Sequence, residues 1–87
     1  MITKEIEITA SHGLHLRVAA QIVKATQNSQ AKITFIKDGK VADASSIMEL
    51  LFLGAQENST VQVIVDGQNE QKAIKDVSEI LIDGAGI

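Results

Sequence analysis

The chain has 87 residues, a formal net charge of -3, 45% apolar residues, only two aromatic residues and no cysteine. That length suits one domain, the scarcity of aromatics makes its core aliphatic, and the absence of cysteine excludes a disulfide framework or thiolate chemistry. The scattered lysines, with no aromatics between them, argue against direct nucleic-acid binding, and no apolar run approaches the roughly 20 residues of a membrane span.

Ile2 to Thr9 alternates: Ile2, Ile6 and Ile8 share one parity with Lys4, and Thr3, Glu5, Glu7 and Thr9 the other. This is the pattern of a half-buried strand. Ser11-His12-Gly13 interrupts it. From Leu16 to about Gln27 the period becomes helical, with Ala19, Ile22, Val23 and Thr26 on one face and Asn28-Ser29 closing the element. Ala31 to Lys37 reads as a strand. Asp38-Gly39 is a two-residue hairpin signal, since a type I′ turn needs positive φ at both central residues. Lys40 to Asp43 returns. Ser46 looks like the cap of a helix over Ile47–Leu53 that Gly54 ends. Val61, Val63 and Val65 make a strand, Asp66-Gly67 a turn, and Glu70 to Ile82 a helix whose inner face is Ala73, Ile74, Val77 and Leu81. Gly84 and Gly86 are expected to fray its end. The order βαββαβα predicts an α+β open-faced two-layer sandwich, a four-stranded, mainly antiparallel sheet with three helices on one face, in a single domain over 1–87.

Two stretches carry chemistry. In HGLHLR, residues 12–17, His15 sits at the mouth of the first helix, where unpaired N–H groups and the helix dipole favour an anion. Arg17 adds a cation able to grip phosphate oxygens, and a neutral imidazole is a nucleophile. The residues alone leave two readings open: an imidazole that bears a phosphoryl group, or an ordinary capping histidine. A His12–His15 metal pair lacks a third ligand. In DASSIMELLFLGA, residues 43–55, a short helix can bury only one stripe. Leu50 and Leu53 suit the core, so some of Ile47, Met48, Leu51 and Phe52 face outward, as docking surfaces do. Phosphate on Ser46 would meet a helix N-terminus. The alternative is that Ser46 is only a cap and every apolar residue here is core.

Together these stretches resemble the HPr family, the histidine phosphocarrier proteins of the phosphoenolpyruvate-dependent sugar phosphotransferase system. The first signature stands here as Gly13-Leu14-His15-Leu16-Arg17-Val18-Ala19, the second as Ser45-Ser46-Ile47-Met48-Glu49-Leu50-Leu51-Phe52-Leu53-Gly54-Ala55. Spacing, length and element order fit over essentially the whole chain.

The resemblance implies that His15, through Nδ1, accepts a phosphoryl group from phosphorylated enzyme I and passes it to an enzyme IIA domain, and that Arg17 steadies the group. It implies a cytoplasmic carrier with a transient phosphohistidine rather than an independent enzyme, with no cofactor, metal or membrane insertion. Ser46 resembles the target of HPr kinase/phosphorylase, whose product binds a catabolite-control transcription factor. A regulatory module gated by Ser46 phosphorylation is thus the alternative function. Ile47, Met48 and Phe52, with Leu16 and Val23 as weaker candidates, resemble the docking surface.

Three positions depart from the family pattern. Val18 replaces a proline, which should loosen the first turn, bring one more N–H into play and slow transfer modestly. Leu16 replaces a small residue beside His15. Ser45 stands where a basic residue is common, which weakens charge pairing with a phosphate on Ser46.

Overall fold

The computed structural model describes residues 1–84. The elements follow the expected order: β1 (Ile2–Glu7), α1 (Leu16–Ser29), β2 (Lys32–Lys37), β3 (Lys40–Asp43), α2 (Ile47–Phe52), β4 (Thr60–Asp66) and α3 (Glu70–Asp83). Boundaries move by a residue or two. β1 stops at Glu7, although Ile8 and Ala10 remain buried, and α1 runs on through Ser29. α2 closes at Phe52, with Leu53 as its C-cap.

The sheet order is β1-β4-β2-β3, and every pairing is antiparallel. β4 therefore lies between β1 and β2, facing Ile6 with Val61 on one side and Phe35 with Val63 on the other. This central placement explains its composition. Val61, Val63 and Val65 are all fully buried on the inner face, while Gln62 and Ile64 are half-buried on the other. β1 is an edge strand, so Lys4 reaches solvent despite sharing the parity of Ile2 and Ile6. At the β2–β3 turn, Asp38 and Gly39 both have positive φ, 51° and 80°, as a type I′ hairpin requires.

The core is aliphatic around one ring. Phe35 lies in one buried cluster with Ile8, Ile22, Ile33, Leu50, Val77 and Leu81, so sheet and all three helices share one interior. Polar groups inside it are satisfied locally. Thr26 and Ser78 donate to the carbonyls of Ile22 and Ile74, one turn back, and Ser29 donates to the Thr26 carbonyl. α1 ends on Gln30 in the left-handed region. The Asn69 side chain donates to the Ser29 carbonyl and ties the end of α1 to the start of α3. Gly84, at φ 79°, caps α3 rather than fraying it, and Gly86 lies outside the described residues.

Candidate functional site

Chain leaving β1 reaches α1 through a tightly fastened loop. Gly13 N–H donates to the Ala10 carbonyl at 3.0 Å, and Leu14 N–H to the Ala55 carbonyl at 3.0 Å. Leu14 is buried and anchors the loop in the core. Gly13 has φ 70°, and a Cβ there would meet the main chain of Ala55, Gln56 and Glu57 at 2.6–2.7 Å. Only glycine fits, for both reasons. His12 also has positive φ, 68°, and its N–H donates to Glu57 Oε1 at 3.3 Å. The segment 55–57 thus acts as the bed on which residues 12–14 lie.

This loop delivers His15 to the N-cap position of α1 in extended backbone, φ -95° and ψ -179°. Its carbonyl accepts from Ala19 N–H, opening the helix, and its Nδ1 accepts from Arg17 N–H at 3.3 Å. An acceptor nitrogen on a neutral imidazole carries a lone pair, so the ring proton belongs on Nε2 in this arrangement. The Nδ1 lone pair thereby points at the positive end of the α1 dipole. The first turn of α1 contains no acidic residue. Arg17, its second residue, is exposed and takes part in none of the ion pairs among the described residues. His15 itself is half-buried, reachable from solvent yet held. The capping reading of His15 is thus met by the structure, with Nδ1 as the capping atom.

Val18 is fully buried. Its valine side chain therefore has a packing role, a point that the comparison with proline alone does not convey. As the third residue of α1 it retains its N–H at the helix mouth.

Ser46 is the N-cap of α2: its Oγ accepts from Glu49 N–H at 3.3 Å. Two carboxylates stand close by. Glu49 Oε1 accepts from Asp43 N–H at 2.9 Å, and Asp43 Oδ1 accepts from both the Oγ and the N–H of Ser45. The Ser45 hydroxyl, then its amide, holds the Asp43 carboxyl below the ordinary aspartate value.

Six residues of helix cannot hide five large apolar side chains, and α2 does not. Leu50 is buried, Ile47 and Leu51 are half-buried against the core, and Met48 and Phe52 are 76% and 77% exposed. With Leu16, 63% exposed beside His15, they supply the apolar surface on the two helices, α1 and α2, that pack together next to the site. Lys40 Nζ lies 5.6 Å from the centre of the Phe52 ring. Ile47 and Val23 are only partly exposed and contribute less than their side-chain size suggests. One surface groove lies between α1 and α3, lined by residues such as Lys24, Asp76 and Glu79, and another runs along α3 beside Lys4; His15 lines neither.

The structure brings two further side chains beside His15, those of His12 and Glu57. His12 lies with its ring centre 6.3 Å from that of His15 and the planes at 71°. The His-Gly pair after a strand was the available signal, since histidine tolerates left-handed backbone better than most residues. Glu57 carried no local signal; only the fold brings it across from the α2–β4 connection. Among the described residues no three histidine, cysteine or carboxylate side chains gather in a way that could hold a metal.

Comparison with known proteins gives a consistent picture. A family model described as "PTS HPr component phosphorylation site" matches residues 2–83. The phosphocarrier protein HPr of Buchnera aphidicola subsp. Schizaphis graminum is 37% identical over 83 residues, covering 95% of this chain and 98% of that protein. HPr of Haemophilus influenzae is 39% identical over 75 residues, covering 86% and 88%. Among solved structures, HPr from Thermoanaerobacter tengcongensis superposes with a TM-score of 0.91 at 32% identity, covering 100% of this chain and 98% of that one. The Bacillus subtilis catabolite repression protein Crh matches with a TM-score of 0.73 at 30% identity, covering 93% of each chain.

Proposed function

The chain belongs to the HPr family of phosphocarriers of the phosphotransferase system, and from that premise we propose that His15 Nδ1 is the atom that bears the phosphoryl group. One observation carries the assignment: Nδ1 has its lone pair turned into the N-terminus of α1, against Arg17 N–H, with no acidic residue in that first turn. The lone pair forms the new N–P bond, and the donor keeps the electron pair of the bond that breaks. No proton has to leave Nδ1 first. The amide that now caps onto nitrogen is then free to donate to a phosphoryl oxygen. Arg17 adds a charge-assisted contact from outside. Phosphoryl transfer is governed mainly by positioning and by stabilisation of the oxygens, which a helix mouth and a guanidinium both supply.

Enzyme I is the proposed donor and an enzyme IIA domain the proposed acceptor, both docking on Leu16, Met48 and Phe52 with Ile47 at the margin, and the setting is cytoplasmic. An exposed carrier nitrogen ringed by apolar residues suits two partners in turn. The experiment is intact mass after mixing with enzyme I and phosphoenolpyruvate. One phosphate should appear, vanish in mild acid as a phosphoramidate does, and be missing from His15→Ala. An unchanged wild-type mass with a competent enzyme I refutes the proposal.

A second reading has its own support. Ser46 caps an α2 that displays Met48 and Phe52, and Crh, a catabolite repression protein, shares the fold. Phosphorylation of Ser46 by HPr kinase/phosphorylase would place a dianion beside that surface and gate docking to a catabolite-control transcription factor. The neighbouring Asp43 and Glu49 carboxylates oppose it electrostatically, so this reading stands second. An acid-stable phosphate after incubation with that kinase and ATP, lost in Ser46→Ala, would support it; no modification would exclude it.

A further inference from the structure

Lys4 shares the inner-face parity of Ile2 and Ile6, yet it is exposed, because β1 is an edge strand. It lines a groove along the flank of α3 together with Lys72 and Lys75. Ile74 and Ile82 supply apolar lining, and Ile82 is 48% exposed. The fold thus gathers three of the eight basic residues in a chain of net charge -3. Among the described residues that line the groove, Glu79 is the only carboxylate. Lys72 already pairs with Asp76 at 2.7 Å, whereas Lys4 and Lys75 take part in none of the ion pairs among the described residues. The groove is remote from the apolar surface beside His15. α2 packs on α1 and on β3, at one edge of the sheet, and α3 packs on α1 and on β1, at the other.

We infer that this groove takes an extended acidic segment of a partner protein, whose backbone adds to the free edge of β1 and whose carboxylates meet Lys4 and Lys75. β1 pairs with β4 alone, so the backbone groups on its other side are open to a further strand. A second copy of this chain fits poorly. Antiparallel pairing sets residues of equal parity opposite each other on one face. Two strands Ile2–Glu7 overlap most fully in two such registers, which oppose the two Lys4 side chains in one and the two Glu5 side chains in the other. Like charges directly opposite are destabilising. A small ligand calls for an enclosed pocket, which an open flank does not provide. An inward-facing lysine on an edge strand also deters indiscriminate pairing. A strand with a carboxylate at the facing position turns that deterrent into attraction, so the same side chain excludes and selects. The segment leaves Leu16, Met48 and Phe52 uncovered and does not compete with enzyme I. The inference is independent of the phosphohistidine assignment.

The test follows the isotope-labelled chain by nuclear magnetic resonance as a short blocked peptide of alternating threonine and glutamate is added, with the threonine–lysine counterpart as control. The glutamate peptide should shift the amide signals of residues 2–7 and 71–82 and leave those of Leu16, Met48 and Phe52 in place. The lysine peptide should shift neither set. Lys4→Glu combined with Lys75→Glu should weaken the glutamate peptide roughly tenfold or more, as reversal of two exposed charge contacts implies. Added salt should weaken it too. Both lysines are exposed, so the double variant should keep its fold and be phosphorylated by enzyme I at the wild-type rate. No shift at β1 and α3, the same response to both peptides, or undiminished binding by the double variant overturns the inference and leaves Lys4 as a guard on an exposed edge. Signals of residues 2–7 that move on dilution without peptide would place a second copy on that edge and overturn it as well.

Discussion

Gly13→Ala is the substitution that probes the architecture of the site most directly. At φ 70° an alanine costs about 1–2 kcal/mol of backbone strain. Its Cβ would also lie 2.6 Å from Gln56 C, 2.6 Å from Glu57 N and 2.7 Å from Ala55 O. All three are main-chain atoms, so no side chain can swing aside and the two segments must part. Parting them sacrifices the Leu14 N–H to Ala55 carbonyl hydrogen bond, worth about 1 kcal/mol. The expected loss is about 3 kcal/mol, out of the roughly 4–13 kcal/mol that a chain of this size commands. Gly39→Ala supplies the control. Its φ is 80°, but nothing lies within 4 Å of the added Cβ, so it should lose only the strain, about 1–2 kcal/mol. Urea unfolding followed by circular dichroism measures both, with any change in midpoint read at constant slope. Gly13→Ala should also be phosphorylated more slowly under native conditions, because the displaced loop sets where His15 Nδ1 points. If the two variants unfold at the same urea concentration, residues 55–57 are not the bed on which the His15 loop rests.

Phe52→Ala should change stability by less than about 0.5 kcal/mol, since the ring is 77% exposed, while weakening enzyme I binding by about 2 kcal/mol or more in calorimetry if it is a docking anchor. Ser46→Ala should lower stability by about 0.5–2 kcal/mol through loss of the α2 cap, seen in thermal melts, whereas Ser46→Asp should keep most of it. Asp43 has a folded-state pKa depressed by its Ser45 hydrogen bonds. The stability it contributes is thus present above the unfolded aspartate value near 3.9 and is lost as pH falls through the lower folded value. Ser45→Ala should return the Asp43 pKa, followed by nuclear magnetic resonance, toward the ordinary aspartate range. Val18→Pro should speed transfer if the first-turn conformation governs the rate, but should cost stability in the same melts because it removes a buried side chain.

The elements and their inner faces could be read from residue order because each depends on local periodicity. Ile6 and Ile8, Ala19 and Ile22, Ala73 and Val77 announce which side of a strand or helix avoids water, and the structure buries all six. Asp38-Gly39 announced its hairpin by the same local logic, since few other pairs tolerate positive φ twice running. His15 and Arg17 could be singled out because a helix start is visible in sequence and its electrostatics follow from it. The excess of apolar residues between Ile47 and Leu53 likewise showed that some must remain uncovered, though not which.

What local pattern cannot hold is any contact between distant segments. The insertion of β4 between β1 and β2 joins residues near 5 to residues near 62, and periodicity is blind to such pairing. The bed formed by Ala55–Glu57 under His12, Gly13 and Leu14 is the same kind of fact, and it alone explains the left-handed turn and the facing histidines. Backbone chemistry along the chain placed an imidazole at a helix mouth. Only steric exclusion and hydrogen bonding across the chain decided where that imidazole points and what stands beside it.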